Sequence, residues 1–135
     1  MRFLNYLTEK EEDKITKQDL NNLERWADAL FKKVGIDIEF TRHFLDRVND
    51  RRNKKQITFT ELTKLFRGTW KKYGHKIPQL GDGAQAVIHD MRSDVNMPFV
   101  LDWDKRSQEF DLIAKTVMRK KNFKTTNLKL RIGGK

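Results

Sequence analysis

The sequence predicts an α+β fold: N-terminal helices packed on one face of an antiparallel sheet of about four strands. Two patterns and the length carry this expectation. Apolar residues recur at three- and four-residue steps as far as Tyr73, the period of a helix that buries one face, and after Gly81 they alternate instead. A chain of 135 residues is long enough for one hydrophobic core and too short for two. The expected organisation is one domain over 1–135, with an N-terminal helix or arm over 1–15, a helical part over 16–74 and the sheet over 84–132.

The elements follow in order. Phe3, Leu4 and Leu7 suggest a short amphipathic helix before the polar spacer "EKEEDK". Thr16 and Asp19 form a capping-box pattern ahead of Leu20, Leu23, Ala27, Leu30, Phe31 and Val34, and Gly35 suits the C-terminal turn. "IDIEF" reads as a short strand or an extended connector. Thr41 is placed to cap a helix over about residues 42–52 whose apolar side is Phe44, Leu45 and Val48. Thr58 and Glu61 make a second capping box, with Ile57 and Leu62 spaced as a hydrophobic staple, and Phe59, Leu62, Leu65, Phe66, Trp70 and Tyr73 give the buried stripe up to Gly74. Gly68 inside that helix costs about 1 kcal/mol relative to alanine, which predicts close packing or a break there. "AQAVIH", "NMPFVLDW", "EFDLIAKTVM" and "LKLRI" are the four strands; Pro98 argues that the second lies at an edge or begins at the proline.

Composition excludes several classes of function. With no cysteine there are no disulfides, thiolate metal sites or cysteine nucleophiles, and a reducing cytoplasm is the expected setting. No apolar run approaches the length that spans a bilayer, and the N-terminus turns acidic too soon after Leu7 for a secretory signal, so no membrane partner is expected. The net charge is +10, distributed as −2 over 1–41, +8 over 42–76, −4 over 77–114 and +8 over 115–135. Two separate basic blocks that fold onto one face would attract a polyanion through steering and counterion release. The competing reading is that the lysines only keep the protein soluble.

"TRHFLDRVNDRRN" places His43, Arg47 and Arg51 four residues apart, on one line of a helix. Histidine transfers protons near neutrality and arginine grips phosphate with a fork of donors, so the line suits phosphodiester cleavage without a metal. Alternatively Asp46 and Asp50 pair with these arginines and the row is structural.

"HFLDRVNDR", followed after a polar turn by a helix containing "ELTKLF", resembles the H-x-L-D-R-x-x-x-R segment of the RegB-type early endoribonucleases of T-even phages, a family with the RelE-like fold shared by barnase- and colicin-type ribonucleases. The direct resemblance covers about residues 41–66. It implies that His43 is the catalytic histidine, Arg47 its arginine partner and Arg51 the downstream arginine, with no cofactor. The family's second functional histidine has no counterpart at the matching spacing, since the other histidines are His75 and His89. RelE-like nucleases use sheet lysines and arginines instead, and by position Lys115, Arg119 and Lys120 are the equivalents.

The stretch "KTVMRKKNFKTTN" surrounds Phe123 with cations, including Lys120, Lys121 and Lys124, and adds Thr125 as a hydroxyl donor, a mixture that holds single-stranded RNA through phosphates and a stacked base. The scattered histidines give no metal-binding pattern. "MRFLNYLTE" resembles the head-targeting peptides of T-even-type phages, which are cleaved after a sequence such as Leu7-Thr8-Glu9. The expected function is therefore a metal-independent phage endoribonuclease in the host cytoplasm, acting on single-stranded RNA such as ribosome-associated mRNA through 2′-hydroxyl attack. The alternative is a non-catalytic nucleic-acid-binding protein packaged in the phage head, which would also bind DNA.

Overall fold

The structure, a computed structural model, describes residues 14–134. The helix and cleavage motif expected within 1–13 lie outside the described residues. Thr16 opens α1 (Lys17–Phe31): its hydroxyl accepts the Asp19 N–H, and the Asp19 carboxylate accepts the Thr16 N–H at 2.8 Å. Leu23, Ala27 and Phe31 are fully buried on its inner side. A 3-10 turn, Lys32–Val34, and Gly35 at φ 73° reverse the chain into β1 (Ile36–Phe40).

The next helix is shorter than expected, and its line of cations is broken. α2 spans Phe44–Val48, His43 stands at its N-cap without a side-chain capping bond, and Asp50 adopts extended backbone before a 3-10 turn over Arg51–Asn53. Arg51 therefore does not continue the helical row of His43 and Arg47. Nor does Thr41 cap the helix: its hydroxyl donates to the Lys115 carbonyl at 2.7 Å. At the break the Asp50 carboxylate accepts the Arg52 N–H, and the preceding turn is held by Asn53. Its buried amide donates to the carbonyls of Arg47 and Val48, two of the carbonyls left open where the helix ends. Asn49 likewise holds the N–H and carbonyl of Ile15.

Thr58 and Glu61 form the expected box at the start of α3 (Phe59–Tyr73), with Ile57 and Leu62 both buried. Gly68 marks close packing rather than a break, since a Cβ there would sit 3.0 Å from Ile132 Cδ1. Phe66 meets Phe31 and Phe40 edge-on and so joins α3, α1 and β1 in one aromatic cluster.

The remaining strands are β2 (Gln85–Asp90), β3 (Val95–Asp104), β4 (Glu109–Ala114), β5 (Met118–Arg119) and β6 (Leu128–Ile132). The α+β class stands, but the sheet is mixed and has six strands, in the order β1-β4-β3-β2-β6 with β5 on β3. β2, β3 and β4 form the antiparallel centre, while β1 runs parallel to β4 and β6 parallel to β2. The two parallel strands join by long crossovers, which no hairpin signal in the sequence marks.

The expected strand 109–118 is interrupted. Ala114 pairs with Phe99 and Lys115 donates its N–H to the Pro98 carbonyl, whereas Met118 pairs with Asn96 and Arg119 with Val95. One extra residue has entered the strand between these pairs, a β-bulge that reverses which side chains face the helices. Pro98, expected at an edge or strand start, sits in the interior of a central strand. The N–H that proline lacks would have been directed at the Lys115 carbonyl, and the Thr41 hydroxyl supplies that bond instead.

The sheet face turned to α1 and α3 is apolar, with Ile36, Ile38, Ile88, Met97, Phe99, Leu101, Leu112 and Leu130 in one buried cluster. Among the described residues no helix covers the opposite face. The register arranges that face in rows: Asp37, Asp111 and Asp102 lie toward one end, and Lys129, Val87 and Pro98 lead to Lys115 toward the other.

Candidate nucleic-acid cleft

The bulge and the broken helix face each other across a cleft of about 1040 Å³. One wall is His43, Arg47, Asp50 and the stretch from Arg52 to Lys55; the other is Lys115 to Lys121, with Asp94 at the side. Its charged lining is Arg47, Arg52, Lys54, Lys55, Lys115, Arg119, Lys120 and Lys121 against Asp50 and Asp94. The two basic blocks of the sequence thus meet in one place. Asn53 ties the walls together, because its Oδ1 accepts the Arg119 backbone N–H at 2.9 Å while its amide holds α2.

The structure brings His43, Arg47, Lys115, Arg119, Lys120 and Lys121 to this cleft and leaves four expected residues outside its lining. Arg51 is exposed on the 3-10 turn. Phe123 is half-buried, and its carbonyl accepts from Lys129 Nζ at 2.6 Å. Thr125 Oγ1 accepts the Asn127 N–H, and Lys124 is exposed. Thr116, expected as a hydroxyl donor in the C-terminal basic stretch, lines the cleft, and Arg52, Lys54 and Lys55 are lining residues that the sequence did not single out, although the "NKKQ" turn was a visible signal for the lysines.

Arg119 lines the cleft but is not free to grip phosphate. The bulge turns it to the helix side, where it forks onto Glu61 at 2.7 and 2.9 Å and donates to the carbonyls of Ser93, Gln56 and Lys55. All five guanidinium donors are engaged. Burial would raise the Glu61 carboxyl, but the bonds from Arg119 and from the Thr58 N–H hold it below the usual range. Arg52 is also paired, with Asp50 at 2.8 Å, and those bonds lower the Asp50 carboxyl to about 2. Asp50 thus pairs with Arg52 rather than with Arg47 or Arg51. His43, Arg47, Lys54, Lys55, Lys120 and Lys121 are exposed, and Lys115 Nζ has one long bond to Gln85 at 3.4 Å.

The opposite end of the sheet carries the other charge. Asp37, Glu39 and Asp111 have carboxylate oxygens within 4.8 Å of one another, the grouping among the described residues that most resembles a cation site. Burial, a hydrogen bond to Asp111 and repulsion from neighbouring carboxylates raise Glu39 to about 7. Asp28, which accepts the Ile38 N–H at 2.6 Å, is likewise raised to about 7 by burial and by Asp37. No helix among the described residues is long and apolar enough to cross a membrane.

The other histidines lie apart from the cleft lining. His75 is exposed with its ring 6.0 Å from Trp70, and His89 is half-buried on β2 with Nδ1 2.6 Å from Asn96 Oδ1. No protein-family model, curated protein or solved structure matches this chain, so the site stands on its own geometry.

Proposed function

We propose that the protein is a metal-independent endoribonuclease that binds single-stranded RNA in the basic cleft. The observation that carries this reading is the cleft itself: an exposed histidine and a set of exposed cations, from segments separated by about sixty residues in sequence, line one groove. The 2′-hydroxyl would lose its proton to His43 and attack the adjacent phosphorus, while Arg47, Lys115 and Lys120 stabilise the added charge. The 5′-oxygen leaves with a proton from a lysine of the opposite wall, and the product end is a 2′,3′-cyclic phosphate. Arg119 acts in this scheme by holding the bulge in place. A helical layer on one face of a sheet, with basic residues where a long strand ends, is compatible with a RelE-like arrangement, although the mixed sheet departs from the all-antiparallel expectation. A phage origin and action in the host cytoplasm, on free or ribosome-associated mRNA, belong to the same proposal.

The test is incubation of purified protein with single-stranded RNA in the presence of a chelator. Cleavage to cyclic-phosphate ends that falls by about 10²-fold or more in His43→Ala, with folding kept, is the expected result; unchanged cleavage in that variant overturns it. The engagement of all five Arg119 donors favours a second reading, in which the cleft binds RNA and DNA without cutting, as in a packaged virion protein. That reading predicts salt-sensitive binding to both polymers and indifference to His43.

A further inference from the structure

On the helix-free face, a row crosses the sheet from β6 to β5: Arg131, His89, Asn96 and Met118. Asn96 is fully buried, and its amide nitrogen donates to the carbonyls of Asp94 at 3.0 Å and Lys120 at 3.0 Å, with that of Met118 at 3.4 Å. These carbonyls set the amide's orientation, because an oxygen in place of the nitrogen would face three acceptors. Oδ1 therefore faces His89, and the ring must carry its proton on Nδ1 to meet it at 2.6 Å. In the neutral ring Nε2 is then a bare acceptor, and it has no partner among the described residues.

The row is continuous with the cleft. Two of the carbonyls that hold Asn96 belong to Met118 and Lys120, which line the cleft wall. His89 is two strand spacings from Met118, about 10 Å. On its other side Arg131 is exposed, while its backbone carbonyl is held by Tyr73 Oη and Lys72 Nζ, so the strand that presents it is fixed from behind.

We propose that this row is a nucleotide subsite extending the cleft, in which His89 Nε2 accepts a hydrogen bond from single-stranded RNA and Arg131 takes the adjoining phosphate. The donor is a base N–H or a ribose 2′-hydroxyl. This inference rests on the RNA reading of the cleft and adds a second contact point that orients the strand. His89 is here a binding residue, and Asn96 positions it by fixing the tautomer.

The experiment is ring-nitrogen NMR on the full chain carrying His43→Ala to prevent turnover, titrated with single-stranded RNA and with DNA of the same sequence. Before addition, His89 should show a protonated Nδ1 and a bare Nε2. At saturating RNA the Nε2 signal should move toward the hydrogen-bonded position. A shift with RNA alone identifies the 2′-hydroxyl as donor; a shift with both identifies the base. Added to the same background, His89→Asn and Arg131→Ser should each weaken RNA binding about tenfold, as loss of one contact to a desolvated or charged group does, with the melting temperature kept. An unmoved Nε2 at saturation, or two variants that bind as tightly as their parent, overturns the subsite. If wild-type protein binds no RNA, the reading of the cleft falls and the subsite with it. If RNA is bound and cut while Nε2 stays unmoved, the subsite alone falls.

Discussion

Arg119 is the residue for which a structural role and a ligand-gripping role make opposite predictions. In Arg119→Ala, Glu61 keeps its capping bond to the Thr58 N–H but loses both bonds to the guanidinium, and the carbonyls of Ser93, Gln56 and Lys55 lose a donor. The two side chains are 14% and 20% exposed, so the pair is shielded from water but not sealed. Removing one partner of a buried pair costs about 3–5 kcal/mol; with partial exposure the lower end, about 3 kcal/mol, applies here. For a chain of this size that lowers the melting temperature by about 10 °C. The Glu61 carboxyl is held below its usual range, so this stabilisation is fully present above about pH 4.5 and is lost as pH falls through the lowered folded value. Calorimetry or urea unfolding of both proteins at pH 7 and again near pH 3 checks each part. The gap should be wide at neutral pH and narrower in acid. A loss below about 1 kcal/mol at pH 7, together with abolished RNA binding, would refute the structural assignment and return Arg119 to the phosphate.

Four further outcomes follow from the same geometry. In a salt titration, removing Lys54, Lys115 or Lys120 singly should reduce the slope of log affinity against log salt for single-stranded RNA by about 0.7 each. Lys105→Ala, in the turn between β3 and β4 and outside the cleft lining, should leave the slope alone. Glu39 and Asp28 are raised to about 7, so the folded state binds their protons more tightly than the unfolded chain. Their contribution is therefore present at low pH and lost as pH rises from about 4 through 7; Glu39→Gln should raise the melting temperature at pH 8 and flatten that stretch of the profile. Gly133→Ala should be destabilising by more than 1 kcal/mol in chemical denaturation, because Gly133 has φ 77° and an added Cβ would meet the Asp90 carboxylate. Asn53→Ala should loosen both walls at once, measured as faster amide exchange at Arg119 and at the end of α2, since its side chain holds each.

Much of the secondary structure could be read from local chemistry. Both long helices begin at capping boxes whose partners lie three residues apart, and such bonds form within one turn regardless of the rest of the fold. The apolar stripes of α1 and α3 and the alternation in β2 and β4 were visible for the same reason. The α2 segment was not. Asn49-Asp50 is a local turn signal, and Asp50 does accept the Arg52 N–H, but the Asn53 amide reaching back to Arg47 and Val48 is a contact that helical spacing does not announce. The Pro98 expectation failed because the bond that the proline cannot donate to the Lys115 carbonyl comes from Thr41, 74 residues away in the chain. The Asn96 amide that orients His89 is held by carbonyls up to 24 residues away, so no spacing rule could pair it with the cleft.

The sequence by itself determined the helical and extended halves, the two basic blocks and the presence of a histidine beside arginine at helical spacing. These depend on residue identity and on contacts within a few positions. Only the tertiary structure decided which cations share a groove. The parallel placement of β1 beside β4 brings His43 opposite Lys115 to Lys121. A single inserted residue between Lys115 and Met118 then reverses the strand's faces, sending Arg119 to Glu61. Strand pairing across the sheet and the phase of a bulge are long-range geometric facts, set by the packing of the whole core rather than by any local run of residues.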